Sequence, residues 1–440
     1  MEKEKFKLPP SLKGKVFLGD EFFKKKKESP RADFLLENLS HTERIETQHG
    51  AVIHRKITLH LNDAPSPEGY IFPGTANLRD LTPEALSLLS GEPEETVLDP
   101  SKLLFLDVET TGLAGGTGTY AFLCGIGYFE KGAFSVEQFF MEDYPCERAM
   151  LELLSKKIGE AEGFVTFNGK TFDIPLLSTR FIFNRMPMDC EIPHIDLLHP
   201  ARRIWKGVLP DCRLESIEKE FFGLKRERDV EGSLIPQIYF DFIRGAHQEW
   251  MLPVFDHNVQ DIATLGGLLH FFCRILSDPV SEDLKKPMEF WGLGKLFLKS
   301  GFLENAVKSL EHALSLAKEP DLIDVLLVHI GRLYKTQGKW NEAVSIWEKL
   351  ADGSPTHSMS ASIEIAKYYE HRERKPDLAR ERIVKSLKRI EMNAELEGYI
   401  HGIQISETMG INPDIEKRLR RLETKIQRKL KSSPVVEKDD

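Results

Sequence analysis

Cysteine is scarce in this chain. There are five in 440 residues, at positions 124, 146, 190, 212 and 273, and no two form a C-x-x-C pair. That pattern excludes a disulfide scaffold and reads as scattered reduced thiols of a cytosolic protein. Long apolar runs are also missing: no stretch of about 18 apolar residues stands ready to span a membrane. The opening Met-Glu-Lys-Glu-Lys-Phe-Lys carries no apolar h-region, so neither secretion nor membrane insertion is expected. Positive charge is in deficit, with 60 Lys and Arg against 69 Asp and Glu and a net charge of −9. This argues against a protein that coats nucleic acid generally, but leaves room for local basic patches. Hydrophobic residues at 41% and charged residues at 29% describe an ordinary soluble chain, long enough for two or three domains.

Against that background one stretch stands out: Leu103-Leu-Phe-Leu-Asp-Val-Glu-Thr-Thr-Gly-Leu113. A run of large apolar residues, read as a buried strand, ends in two acids one residue apart. Strand side chains alternate, so Asp107 and Glu109 point the same way. Two carboxylates aimed at one spot repel unless a cation sits between them, and a divalent metal is the natural candidate. The competing reading is a strand that ends in a solvated acidic turn. Further along, Gly163-Phe-Val-Thr-Phe-Asn-Gly-Lys-Thr-Phe-Asp173 gives a short strand, an Asn-Gly turn and an acid at the start of a helix. By itself Asp173 is equally an ordinary helix N-cap. Later, Leu252-Pro-Val-Phe-Asp-His-Asn-Val-Gln-Asp261 opens a helix on which His257 and Asp261, four apart, share a face. Alone they are as well explained by a surface pair or a satisfied core histidine.

Taken in order, the three signals resemble the four-carboxylate (DEDD) exonucleases of the ribonuclease-H-like, DnaQ-type superfamily. Leu106-Asp-Val-Glu-Thr-Thr-Gly-Leu-Ala-Gly-Gly-Thr-Gly-Thr-Tyr-Ala-Phe122 narrows the likeness to the YprB-type exonuclease family. So do Phe167-Asn-Gly-Lys-Thr-Phe-Asp-Ile-Pro-Leu-Leu177, His194-Ile-Asp-Leu-Leu-His-Pro-Ala-Arg202, Cys212-Arg-Leu-Glu-Ser-Ile-Glu-Lys-Glu220 and Ile235-Pro-Gln-Ile-Tyr239. The resemblance implies a ribonuclease-H-like α/β fold, a mixed sheet with flanking helices, and metal-dependent 3′ to 5′ hydrolysis of phosphodiester bonds. It implies two Mg²⁺ or Mn²⁺ ions, about 4 Å apart in such sites. Asp107 would hold both, Glu109 and Asp261 the first and Asp173 the second, with His257 serving the attacking water. One departure stands out. Such enzymes place a catalytic His five residues before the last Asp, or a Tyr four before. Here His257 has the Tyr spacing and Asp256 the His position. Asp196 is a fifth acid, read as structural or supporting. The glycine-rich Gly112-Leu-Ala-Gly-Gly-Thr-Gly118 lacks Gly-Lys-Ser/Thr and is read as a turn beside the site, not a nucleotide cradle.

The rest of the chain divides by pattern. Residues 1–30 form a charged arm with Lys24 to Lys27. Residues 31–100 form an N-terminal extension, with strand-like alternation over 43–62 and a short helix over 82–90. Residues 101–278 are the exonuclease domain. Strands are expected near 103–107, 121–129, 134–141, 164–167 and 193–197, and helices near 146–159, 174–184, 213–222, 235–243 and 253–275. Arg180, Arg185, Arg202, Arg203, Lys206, Lys225, Arg226 and Arg228 form a basic group able to hold phosphates. Beyond residue 285 a helical repeat begins. Leu293-Gly294, Phe297, Ala306 and Leu310 recur 37 residues later as Ile330-Gly331, Tyr334, Ala343 and Trp347. This resembles tetratricopeptide repeats and implies an all-α repeat domain over 285–431 for a protein partner, with a basic capping helix at 415–431. Residues 432–440 read as a tail. The function expected is a cytoplasmic exonuclease acting on nucleic acid, a single-stranded 3′ end above all. The alternative is a catalytically inactive nuclease-fold scaffold that binds nucleic acid.

Overall fold

A computed structural model describes residues 30–401 and 413–432, apart from Asp63, Thr75, Glu94, Glu95, 113–117, Asp189, Lys225, 227–229 and Pro355. The expected arm, the C-terminal tail and most of the glycine-rich loop therefore lie outside the described residues. The centre is one seven-stranded mixed sheet. Its strands are β1 (Thr42–Thr47), β2 (Gly50–Leu59), β3 (Leu103–Thr110), β4 (Ala121–Glu130), β5 (Ala133–Phe140), β6 (Gly163–Thr166) and β7 (His194–Asp196). They lie in the order β1-β2-β5-β4-β3-β6-β7. Strands β1 to β5 pair antiparallel, while β6 and β7 continue parallel from β3. Parallel pairing requires crossovers, and helices supply them. α3 (Glu147–Gly159) precedes β6, and α4 (Asp173–Phe183) connects β6 to β7.

Two differences from the sequence reading concern the flanks. The alternating 43–62 segment is a hairpin, β1 and β2, and β2 pairs with β5. The extension is thus built into the sheet, because its apolar residues Val52, Ile53, Ile57 and Leu59 are buried there. The expected helix 213–222 is a single α-turn, Leu214–Ile217, followed by a π-helical turn, Glu218–Phe222. Such wide turns re-aim side chains.

Remaining helices are α1 (Pro30–Asn38), α2 (Pro83–Ser90), α5 (Leu198–Trp205), α6 (Leu214–Ile217), α7 (Ile235–Ile243) and α8 (Met251–Ser277). Helix α8 is the core helix. Its composition and length would let it cross a membrane, but 83% of its apolar window is buried inside the fold. It lies close over β4 because Gly125 and Gly127 have no side chain. A Cβ on Gly127 would stand 2.5 Å from Ile262, and one on Gly125 2.2 Å from Asn258.

The C-terminal region is largely helical: α9 (Pro287–Lys299), α10 (Leu303–Leu316), α11 (Pro320–Thr336), α12 (Trp340–Gly353), α13 (Ser358–His371), α14 (Pro376–His401) and α15 (Pro413–Ser432). The 37-residue correspondence has a structural counterpart. Gly294 meets Leu310 across α9 and α10, and Gly331 meets Trp347 across α11 and α12. This region is not set apart from the sheet. Gly292 of α9 rests on the backbone of α5, where a Cβ would come within 2.5 Å of the Ile204 Cα. One hydrophobic core accordingly runs from Ile57 of β2 to Ile365 of α13.

Candidate active site

Strand β3 sets the site. Leu104, Leu106 and Val108 face the core shared with α3 and α4, while Leu103 and Phe105 face the one shared with α8. The pleat therefore sends Asp107 and Glu109 toward the α8 side. Asp107 lies opposite Gly125 of β4, and the register shifts between Glu109 and Thr110, ending regular pairing just past the second acid. Asp173 is the first residue of α4 and is buried. It is not the N-cap, since Phe172 holds that position with no side-chain bond. The Asp173 carboxylate instead turns inward. His257 and Asp261 share one face of α8, with Nε2 3.4 Å from Oδ2.

These acids feel one another. Burial, and after it the charges of Asp261 and Asp173, push the Asp107 carboxyl up to about 8 against the opposing pull of His257 and Asn258. Burial likewise pushes Asp173 up to about 7, with Glu109 and Asp196 adding to the rise while backbone N–H groups at Asp173 and Val108 oppose it. Four carboxylates from β3, α4 and α8 thus converge electrostatically on one end of β3. Among the described residues no three His, Cys, Asp or Glu side chains are drawn tightly enough to form a closed metal centre. A cation already sits there. The Arg226 guanidinium donates to Asp261 Oδ1 at 2.5 Å, to Glu218 Oε2 at 2.7 Å and toward His257 Nδ1 at 3.4 Å.

Residues 104–272 match the RNase H superfamily. This segment has an RNase H-like fold. The chain is 34% identical over 278 residues to the uncharacterized protein YprB of Bacillus subtilis (strain 168), across 62% of this chain and 66% of that protein, just under two thirds. A family B DNA polymerase structure from the hyperthermophilic archaeon Pyrobaculum calidifontis is 14% identical, with a TM-score of 0.32. It covers 48% of this chain and 28% of that one, too slight a likeness to bear on fold or activity.

Within the RNase H-like domain, several supporting residues escaped sequence reasoning. Asn258, fully buried on α8, donates to Asp107 Oδ2 at 2.9 Å and to its backbone oxygen at 3.3 Å. Gln138 of β5 holds Asn258 by donating to its Oδ1 at 2.9 Å. Asp256 turns away from the acids, accepting from Tyr70 with Arg55 3.7 Å off. The residue at the usual His spacing therefore braces the extension, and His257 faces the site. Asp196 accepts the backbone N–H groups of Asn168, Lys170 and Leu198 at 2.8 to 3.1 Å, a structural anchor for the turn before Asp173. Of the expected basic group, Arg180 is removed from any phosphate-holding role: it is buried and bidentate on Glu147. Lys225 and Arg228 lie outside the described residues. Arg226, expected with that group to hold phosphates, is instead seated on Asp261 and Glu218. Its partner Glu218 lies eight residues back on the π-turn, a spacing with no periodic meaning.

Proposed function

We propose that the chain is a metal-dependent 3′ to 5′ exonuclease that hydrolyses phosphodiester bonds of nucleic acid at a single-stranded 3′ end. The observation that carries this is the convergence of Asp107, Glu109, Asp173 and Asp261 at one end of β3, two of them with carboxyl protons held by burial first and by their acidic neighbours second. Their hard oxygen donors suit Mg²⁺ or Mn²⁺. Asp107 would hold both ions, Glu109 and Asp261 the first, and Asp173 the second. Bound there, the ions would supply charge for the phosphoryl transition state and acidify the attacking water.

The chain's own residues do the rest. Asn258 fixes the Asp107 carboxylate from behind. His257 is the candidate acceptor for the water's proton. An arginine can only donate, so in the metal-free arrangement His257 Nδ1 accepts from Arg226 and Nε2–H faces Asp261. Withdrawal of Arg226 frees a carboxylate oxygen and an imidazole nitrogen in one movement. The tetratricopeptide-like reading of α9 to α14 offers a surface for a protein partner, supported by the equivalent Gly294–Leu310 and Gly331–Trp347 contacts.

The test uses RNA and DNA strands labelled at either end, incubated with Mn²⁺ or with EDTA. Metal-dependent loss of single nucleotides from the 3′ end is the expected result. Strands bound but never shortened in Mn²⁺ would favour the inactive scaffold, for which Arg226 seated on Asp261 is the motivating contact.

A further inference from the structure

Where α5 and α9 meet, cations gather from two parts of the chain. A cleft of about 610 Å³ runs between the Asp196 anchor, α2, α5 and α9, and its walls carry Lys170, His199, Arg203 and Lys299. None of the four forms an ion pair with a carboxylate among the described residues. Two acids also line the cleft. Asp196 is spent on backbone amides, and Glu92 stands on the α2 side. The positive strip continues along the helical region. Lys295 lies over the Trp291 ring at 4.1 Å, and Trp291 is 6.2 Å from the His329 ring.

The strip is uncompensated. Burial and the charge of Arg203 hold the Lys295 ammonium below its usual range, and burial with Arg332 and Lys295 does the same to His329. In a chain of net charge −9 such a strip is an exception that needs a reason. It also begins at the site. Lys170 belongs to the turn that leads into Asp173, and the charge of Asp196 is felt by Asp173.

We propose that this cleft, floored by the RNase H-like domain and walled by the first helix of the helical region, binds the backbone of single-stranded nucleic acid and leads it to the acidic site. This inference rests on the proposed nuclease function. It assigns α9 to substrate rather than to a protein partner. The volume admits a short stretch of one strand, and lysines, an arginine and an aromatic ring are the groups that hold such strands without reading sequence.

The test is anisotropy of a labelled 20-nucleotide strand on the full-length chain in EDTA, where no hydrolysis occurs, over a range of salt. Lys170 and Lys299 are exposed and stand on opposite walls, so Lys170→Gln with Lys299→Gln removes two charges without disturbing the core. The pair is expected to weaken binding about 3- to 10-fold near 0.1 M salt and to flatten the log–log salt slope by about 1.4. Lys295→Gln with Lys299→Gln, both on α9, is expected to act alike. Binding and slope equal to wild type in both variants overturn the proposal while leaving the nuclease reading intact. So does displacement of the strand by polyglutamate at matched charge, which marks an acidic protein as the occupant. If the wild-type chain neither binds nor cleaves any strand, both readings fall together.

Discussion

Replacing Arg226 with glutamine removes the guanidinium seated on Asp261 and Glu218. Its partners are buried or partly so: the Glu218 side chain is 2% exposed and that of Asp261 15%. Breaking a buried charge pair by deleting one member costs about 3–5 kcal/mol. Glutamine retains one donor, and Asp261 keeps some water, so about 2–4 kcal/mol is the working figure. At about 2.1 cal/mol/K of unfolding entropy per residue, a chain of 440 residues shifts its midpoint by about 1 °C per kcal/mol, so Arg226→Gln in EDTA should melt roughly 2–4 °C below wild type. Mn²⁺ should then reverse the order of gains. In wild type, an ion entering at Asp261 must first displace the guanidinium. In the variant nothing has to leave. The rise in melting temperature on adding Mn²⁺ should therefore be larger for the variant, and its Mn²⁺ affinity by calorimetry tighter. A melting point in EDTA within a degree of wild type would refute the buried pairing. Equal Mn²⁺ gains in both proteins would refute the competition.

Three further outcomes are expected. Gly125→Ala places a methyl 2.2 Å from Asn258 Oδ1, so the amide must leave Asp107; cleavage should fall at least tenfold, with about 1–3 kcal/mol of overpacking in the melt, and normal cleavage would show that Asn258 does not position Asp107. Asp107→Asn should stabilise the metal-free chain in a pH-dependent way. The folded carboxyl keeps its proton to about 8, whereas the unfolded one releases it near pH 4. Wild-type stability thus drains away as pH rises through that window, and the advantage of asparagine should be absent near pH 4, grow toward pH 8 and level off; a constant difference across melts at these pH values would contradict the shift. His257→Ala should slow hydrolysis about 10²- to 10⁴-fold, the span of a proton-transfer contribution, and a rate equal to wild type at every pH would reduce His257 to a structural residue.

What the sequence disclosed and what it withheld divide along physical lines. Alternation along β3 and the four-residue spacing on α8 are local periodicities, so the facing of Asp107 with Glu109 and of His257 with Asp261 was legible. The strands of the RNase H-like domain were legible for the same reason, and the correspondence of Gly294 with Gly331 was legible as a 37-residue recurrence. The hold of Asn258 on Asp107 joins residues 151 apart, and that of Gln138 on Asn258 spans 120. No pattern along the chain encodes such pairs; they exist only once α8 lies over β4. Asp173 resembled a cap because a helix start next to an acid has two explanations, and only packing against β3 separates them. The hairpin at 42–59 was read as strand but not placed, since its pairing with β5 is a choice among free edges.

The amide relay behind Asp107 has a direction. Gln138 Nε2 donates at 2.9 Å both to Asn258 Oδ1 and to the backbone carbonyl of Phe255. A carbonyl only accepts, so the Gln138 amide cannot be turned over without setting oxygen against oxygen. With that amide fixed, Asn258 must offer its oxygen backward and its nitrogen forward, and Asp107 is met by a donor. A single peptide oxygen in the first turns of α8 thereby dictates the polarity of every group down to the carboxylate. Glutamate at position 138 would reverse that polarity at its source, although it differs from glutamine by one atom and leaves the volume of the core unchanged.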